Sequence, residues 1–275
     1  MNRKQLQSAL TAAVAAAREA GALIRRNLRS AKTVKSVTSH DIKLELDVRC
    51  QRLIERRLRR AFRDIPLLGE EGDRAGSDVA CRWVVDPIDG TVNFAYGIPH
   101  ACVSIALQER AAPPSNASSR PGRNAAGAGF ETVLGVVYDP FQDELWTALR
   151  GGPARLNGRV IHVSTRDKLA DAIVSIGFAK SRSNLERALP YFIWLARRVR
   201  KIRMMGSAAL GLTYVATGRL DAYIERGISL WDIAAGGLIL ECAGGVFWHE
   251  PTRGRLRYRM IASNGLLQKF LPVPR

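Results

Sequence analysis

The stretch WVVDPIDGTVNF, Trp83 to Phe94, closes an apolar run with two carboxylates, Asp86 and Asp89, separated only by Pro87 and Ile88. Two readings fit this spacing. Asp-Pro and Asp-Gly are common turn dipeptides, so both acids can serve the turn alone. Alternatively, two carboxylates held close at low dielectric repel strongly unless a cation lies between them, and the Ile88 carbonyl offers a further oxygen to a hard ion. Pro87 holds Asp86 extended, so the spacing predicts a strand reaching Asp86 and a tight turn at Asp89-Gly90.

Further acids lie elsewhere in the chain. Glu70 and Glu71 sit in LLGEEGD, sixteen residues before Asp86, and Asp232 opens an apolar helical pattern in SLWDIAAGGLILECAGG. Taken singly, Glu70 reads as a solvated loop acid and Asp232 as an acid favoured by a helix dipole. Their combination with Asp86 and Asp89 raises the cation reading.

These acids need elements to hold them. A helix is expected over about Lys4 to Leu28, and a second from near Asp47, with Cys50, Ile54, Leu58 and Ala61 on its inner face. RWVVD, ACVSIALQE, TVLGVVYD, DELWTAL, AIVSIGF, LDAYIE, GGVFW and RMIAS read as strands. Asn184 to Val199, AALGLTYVATG and Trp231 to Ala243 read as helices. The segment from Arg110 to Gly129, rich in Pro, Ser, Gly and Asn between two strand patterns, is expected to be a flexible loop.

Bulk composition sets the partners. The 275 residues carry 42 Lys and Arg against 25 Asp and Glu, a formal charge of +17 that attracts polyanions or phosphorylated small molecules. RCQRLIERRLRR, Arg49 to Arg60, reads as a solvated basic helix face, with a nucleic-acid partner as the alternative. Cys50, Cys81, Cys102 and Cys242 show neither zinc-ligand nor disulfide-framework spacing, and a reducing cytoplasm is expected. No run approaches the roughly 18 apolar residues of a membrane span.

GEEG, WVVDPIDGTVNF and WDIAAGGLILECAGG, in this order, together with VLGVVYDP, LNG and ATGRLDAYIE, resemble the inositol monophosphatase family of lithium-sensitive, magnesium-dependent phosphatases. The resemblance covers about Ala9 to Asn264. It implies an α/β/α/β/α sandwich of the inositol monophosphatase and fructose bisphosphatase type. Residues 1–275 would form a single domain of two closely joined lobes, about 1–150 and 151–275, interrupted by the loop at 110–129. Glu70, Asp86 and the Ile88 carbonyl would hold one Mg²⁺, and Asp86, Asp89 and Asp232 a second, with Glu70 helping to hold a third, weaker ion. Glu70, Thr91 and Asp47 would be catalytic, Asp47 and Thr91 orienting the attacking water.

The same resemblance places Ile88, Asp89, Gly90, Thr91, Gly206, Ser207, Ala208, Glu225 and Asp232 around the substrate. The main-chain N–H groups at Gly90 and Thr91 suit phosphate oxygens, and the Glu225 carboxylate suits hydroxyls or an amine. Lys43 and Glu45 depart from the family pattern beside Asp47. The implied function is hydrolysis of a phosphorylated polyol, inositol monophosphate first, with histidinol phosphate and nucleotide bisphosphates as alternatives. A homodimer is expected. From a different class, a basic RNA-machinery binding protein on the same scaffold remains open.

Overall fold

The computed structural model describes residues 1–38, 41–72, 79–111, 129–177 and 182–273. Its layers run helix, sheet, helix, sheet, helix, as expected. The first layer holds α1 (Arg3–Asn27) and α2 (Glu45–Ala61). α1 presents Ala9, Ala13, Ala16, Ala17 and Ala20 inward, and these short side chains let the helix lie close to the sheet. A capping box between Asn2 and Gln5 starts it. β1 (Val34–Thr38) and β2 (Asp41–Leu44) form a separate antiparallel pair just before α2.

Seven strands make the second layer: β3 (Leu67–Gly69), β4 (Cys81–Asp89), β5 (Cys102–Arg110), β6 (Phe130–Asp139), β7 (Glu144–Leu149), β8 (Arg155–Leu156) and β9 (Arg159–Val160), in that spatial order. The short α3 (Thr91–Ala95) follows β4 directly. β5 and β6 stay paired to their loop ends, Arg110 opposite Phe130, and Ala111 donates to the Gly129 carbonyl at 2.6 Å. The expected loop itself lies largely outside the described residues, at 112–128.

The second sheet has the order β11 (Lys201–Arg203), β10 (Ile173–Ile176), β12 (Ala222–Ser229), β14 (Arg257–Ser263), β13 (Val246–Pro251). Between the sheets lie α5 (Ala208–Ala216) and α6 (Leu230–Cys242). α6 is apolar on nearly every side because both sheets cover it, with Ile233, Ala235, Leu238, Ile239 and Leu240 buried. α4 (Arg182–Ala196) closes the outer face through Leu195 over Val174, Ala222 and Ile224. Among the described residues no helix is long and apolar enough to cross a membrane.

Three local expectations change. β4 does not end at Asp86 but continues through a bulge between Asp86 and Asp89, where the register against β5 shifts. Pro87 has no N–H for the ladder, and the bulge accommodates it while re-aiming the two acids. α2 begins at Glu45, two residues ahead of the Asp47 near which a start was expected, because Asp47 accepts the Leu44 N–H at 2.7 Å and so caps the first turn. Ala61, placed on the inner face from its period, is exposed at the frayed last turn.

Candidate active site

The end of β4, the N-terminus of α5 and the N-terminus of α6 converge on one cleft of about 390 Å³. Asp86 and Asp89 arrive from the bulge, and both are buried. Asp232 arrives from the first turn of α6, where its Oδ2 accepts the Ser229 N–H at 2.9 Å in a capping box. Ligand oxygens of Asp86, Asp89 and Asp232 lie within 4.8 Å of one another.

Each acid is held by local donors. The Ile88 N–H donates to Asp86 Oδ1 at 3.0 Å, a bond made inside the bulge itself. Asp89 sits over the start of α5, where the Ser207 hydroxyl (2.6 Å) and the Ala209 N–H (2.7 Å) donate to Oδ2 and the Ala208 N–H (3.2 Å) to Oδ1. A carboxylate oxygen accepts more than one bond, so these donors fix Asp89 and still leave it lone pairs for a cation.

The electrostatics follow from burial and like charge. Burial drives Asp86 well above the usual carboxylate range, and Glu70, Asp89, Asp232 and Asp47 push it the same way. Burial also raises Asp89, against the lowering pull of the bonds from Ser207, Ala209 and Ala208. Among the described residues that line the cleft there is no Lys, Arg or His. Asp86, Asp89 and Asp232, with ligand oxygens gathered at one point, fit a hard divalent cation, whose charge would offset their mutual repulsion.

The helix starting at Gly90 gives the cleft its floor. Gly90 has φ of 95°, and a Cβ there would come within 2.8 Å of the His100 carbonyl oxygen, so only glycine fits both the turn and the close approach. The Thr91 hydroxyl donates to the Ile88 carbonyl at 2.8 Å and lies 3.4 Å from Asp47 Oδ1. Asp47 is buried and does not line the cleft. The Thr91 hydroxyl thus has two acceptors in reach, the Ile88 carbonyl being the nearer and Asp47 Oδ1 the farther. Burial first, then Glu70 and Glu71, raise Asp47 to about 7, against the lowering bond from Leu44.

Glu70, Ile88, Gly206, Ser207, Ala208 and Glu225 all line the cleft with Asp86, Asp89, Gly90, Thr91 and Asp232. The sequence reading missed several others. Asn93 donates from one amide nitrogen to the carbonyls of His100 and Met205, both at 2.9 Å, which ties α3 to the loop ahead of α5. The Tyr223 hydroxyl donates to Glu225 Oε2. Cys102 lies 3.8 Å from both Asp89 Oδ2 and Ser207 Oγ. Asn93 lies within WVVDPIDGTVNF and Tyr223 within ATGRLDAYIE, but Met205, the partner of Asn93, and Ser207, beside Cys102, come from distant parts of the chain.

The sequence matches the inositol monophosphatase family over residues 5–114 and 129–269. Among relatives, it is 39% identical over 235 residues to the Nus factor SuhB of Xylella fastidiosa, covering 84% of this chain and 78% of that one. It is 40% identical over 212 residues to the inositol-1-monophosphatase of Rhizobium meliloti, covering 76% and 72%. The structure superposes on the extragenic suppressor protein suhB of Bartonella henselae with a TM-score of 0.82 at 32% identity, over 95% of each chain. The chain therefore belongs to the inositol monophosphatase family, whose members are metal-dependent phosphoric monoester hydrolases acting on small phosphorylated substrates.

Proposed function

We propose that the chain hydrolyses a small phosphorylated polyol, inositol monophosphate first among candidates, with Mg²⁺ held by Glu70, Asp86, the Ile88 carbonyl, Asp89 and Asp232. The observation that carries this reading is the set of three carboxylates within 4.8 Å at the bottom of a substrate-sized cleft. Bound there, two or three Mg²⁺ ions would neutralise the doubly anionic phosphate ester and lower the pKa of water. The chain's own part is placement. The bulge in β4 aims Asp86 and Asp89 at one point, and the capped starts of α5 and α6 keep Asp89 and Asp232 from drifting apart. Gly90 and Thr91 would present main-chain N–H groups to the phosphate, and Asp47, behind Thr91, would help orient the attacking water together with Glu70. Gly206, Ser207, Ala208 and Glu225 would face the organic part.

Family membership and the Rhizobium relative's name support inositol monophosphate; histidinol phosphate and nucleotide bisphosphates are the alternatives within the same chemistry. Lithium would inhibit by taking one metal position. A homodimer in a reducing cytoplasm completes the reading. The four cysteines are free thiols, and Tyr96 and Ile98 offer exposed apolar surface of the kind an interface covers. Phosphate release from a panel of monoesters, with Mg²⁺ and with excess chelator, tests the proposal. Release that requires Mg²⁺ and favours inositol monophosphate supports it, and full activity in chelator contradicts it.

A second reading rests on a separate surface. Arg49, Arg52, Arg56 and Arg59 are exposed along one face of α2 and line a shallow groove with Leu23, Leu53 and Glu55, the last paired with Arg59 at 2.9 Å. Arg49, Arg52 and Arg56, at three- and four-residue spacing, make a cationic row about 10 Å long, suited to successive backbone phosphates. Similarity to a protein named as a Nus factor accords with a nucleic-acid partner, RNA being the one tested. RNA binding that weakens steeply with salt, and that falls when Arg52 and Arg56 are changed to Glu, would support it.

A further inference from the structure

Asn93, the third residue of α3, has both of its amide hydrogens committed. One goes to the His100 carbonyl and the other to the Met205 carbonyl, each at 2.9 Å. Carbonyl oxygens only accept, so the amide nitrogen must face both partners and the side chain has a single orientation. The partners belong to different parts of the fold. His100 leads into β5 of the first sheet, and Met205 lies between β11 of the second sheet and α5.

Each bond ends beside a residue of the cleft. The His100 carbonyl oxygen is the atom that Gly90 approaches so closely that a Cβ would fall 2.8 Å from it. The Asn93 main-chain carbonyl also accepts the Ile98 N–H at 2.9 Å, so backbone and side chain together close the 93–100 loop. Beyond Met205, Gly206 turns with φ of 73° against the same carboxamide, where a Cβ would come 2.9 Å from Asn93 Nδ2 and 3.2 Å from Oδ1. Ser207 follows at once, and its hydroxyl joins the Ala208 and Ala209 N–H groups in holding Asp89. The segment from Asp89 to Asn93 is therefore fastened to the start of α5 at both ends, through a carboxylate that must also serve a cation and through a neutral amide that need not. One fastening leaves a pivot; two fix the orientation.

We infer that Asn93 is a positioning residue for hydrolysis: its two bonds stop α3 from turning about the Asp89 contact, so that Thr91 and Asp89 keep one geometry across the cleft. This rests on the phosphatase reading and adds a residue to it. The bonds run to main-chain carbonyls, so Asn93 acts through the turns at Gly90 and Gly206. Misplacing reacting groups by about 1 Å costs on the order of 100-fold in rate. Because the loss falls on the reacting end, every ester should suffer it alike.

The test measures kcat and KM in Mg²⁺ for myo-inositol monophosphate and glycerol phosphate, with melting midpoints in Mg²⁺ and in chelator. It uses the wild type, Asn93→Ala, Asn93→Asp, Gly206→Ala and the Asn93→Ala/Gly206→Ala double variant. Asn93→Ala should lower kcat about 10- to 100-fold, by the same factor on both esters, and change KM by less than about 3-fold. Mg²⁺ should still raise its midpoint, because Asp86, Asp89 and Asp232 keep their own donors. Asn93→Asp keeps the shape but turns an oxygen toward two carbonyls, so it should lower kcat at least as far, and it decides the matter if the alanine variant does not fold. Gly206→Ala disturbs the same contact from the other side, and its backbone strain is common to both backgrounds, so the double variant should lose less than the product of the single losses. A folded Asn93→Ala or Asn93→Asp protein with kcat within about 3-fold of the wild type, a loss confined to one ester, or single losses that simply multiply would overturn the inference. If the wild type releases phosphate from neither ester in Mg²⁺, the phosphatase reading itself fails, and the two failures are told apart.

Discussion

Asp221 and Asp86 are the same residue type at nearly the same depth, at 0% and 2% exposure, and the protein treats them in opposite ways. Asp221 is answered by protein donors. Arg166 Nε (2.7 Å) and the Ser164 hydroxyl (2.5 Å) reach one oxygen, and the Ile173 N–H (2.7 Å) reaches the other. Asn264 completes the knot by donating to Ser164 and to the Arg166 carbonyl. Asp86 has the Ile88 N–H and, pressing on it, Glu70, Asp89 and Asp232. A buried charge matched by a guanidinium and by hydrogen-bond donors is compensated, and removing one partner is costly; one surrounded by like charge works against folding until a cation arrives. The comparison separates acids that hold the structure from acids that hold something else.

The sharpest way to break this division is Asp232→Asn. If Asp232 belongs to the cation set, kcat should fall by several orders of magnitude on every ester, while the melting point in chelator should hold or rise because a repulsive charge is gone. Assays on two chemically unrelated esters beside a thermal melt check both halves. A variant that keeps its rate would return Asp232 to the role of a helix cap.

Asp221→Ala should show the reverse pattern. Removing the acceptor strands the Ile173 N–H and the Arg166 and Ser164 donors, at a cost of about 3 kcal/mol in a denaturant melt. The rate per folded molecule should stay near that of the wild type. A large loss of kcat without loss of stability would mean that Asp221 also serves the cleft.

His249 extends the comparison to a group buried neutral. Burial lowers it from 6.5 to about 4. The unfolded chain therefore binds a proton that the fold refuses, so this contribution is fully present above about pH 6.5 and is lost as pH falls toward 4. Stability should drop by about 2 to 3 kcal/mol over that window from this residue, and His249→Phe should flatten the slope between pH 6.5 and 4. An unchanged slope would assign the acid sensitivity elsewhere.

The smallest expected effect is at the loop. Because Arg110 already pairs with Phe130 and Ala111 with Gly129, deleting Ser115 to Gly127 and closing with a short glycine turn should leave melting point and kcat nearly unchanged. A large drop in either would show that the segment completes a site or an interface.

How legible each part was follows the range of the interactions that build it. Asp86, Asp89 and Gly90 sit within five residues, and both the bulge and the helix start are local, so the pattern DPIDG carries them. Asp232 was readable as an acid at a helix start, whereas Ser207 entered only through the family resemblance; the structure shows Ser229 with Asp232 capping α6 and Ser207 capping α5. The long helices showed through their apolar period. β3 and β11 did not, since three residues are too few for a period and Leu67, Leu68 and Gly69 are all buried. Tyr223 and Met205 escaped for a different reason. They reach one cleft through the order β11, β10, β12, which no spacing along the chain encodes. Asp47 shows the limit from the other side: its capping bond to Leu44 was visible in principle, yet the family pattern drew attention to Thr91, 3.4 Å away.

The measurement that tests the central claim most directly is a thermal melt of the wild type and of Asp86→Asn, each in Mg²⁺ and in excess chelator. If the buried acids are held for a cation, Mg²⁺ should raise the wild-type midpoint through binding to the folded state alone. The Asp86→Asn midpoint should respond far less, and in chelator it should equal or exceed that of the wild type. A wild-type midpoint indifferent to Mg²⁺, together with an Asp86→Asn protein less stable in chelator, would contradict the account.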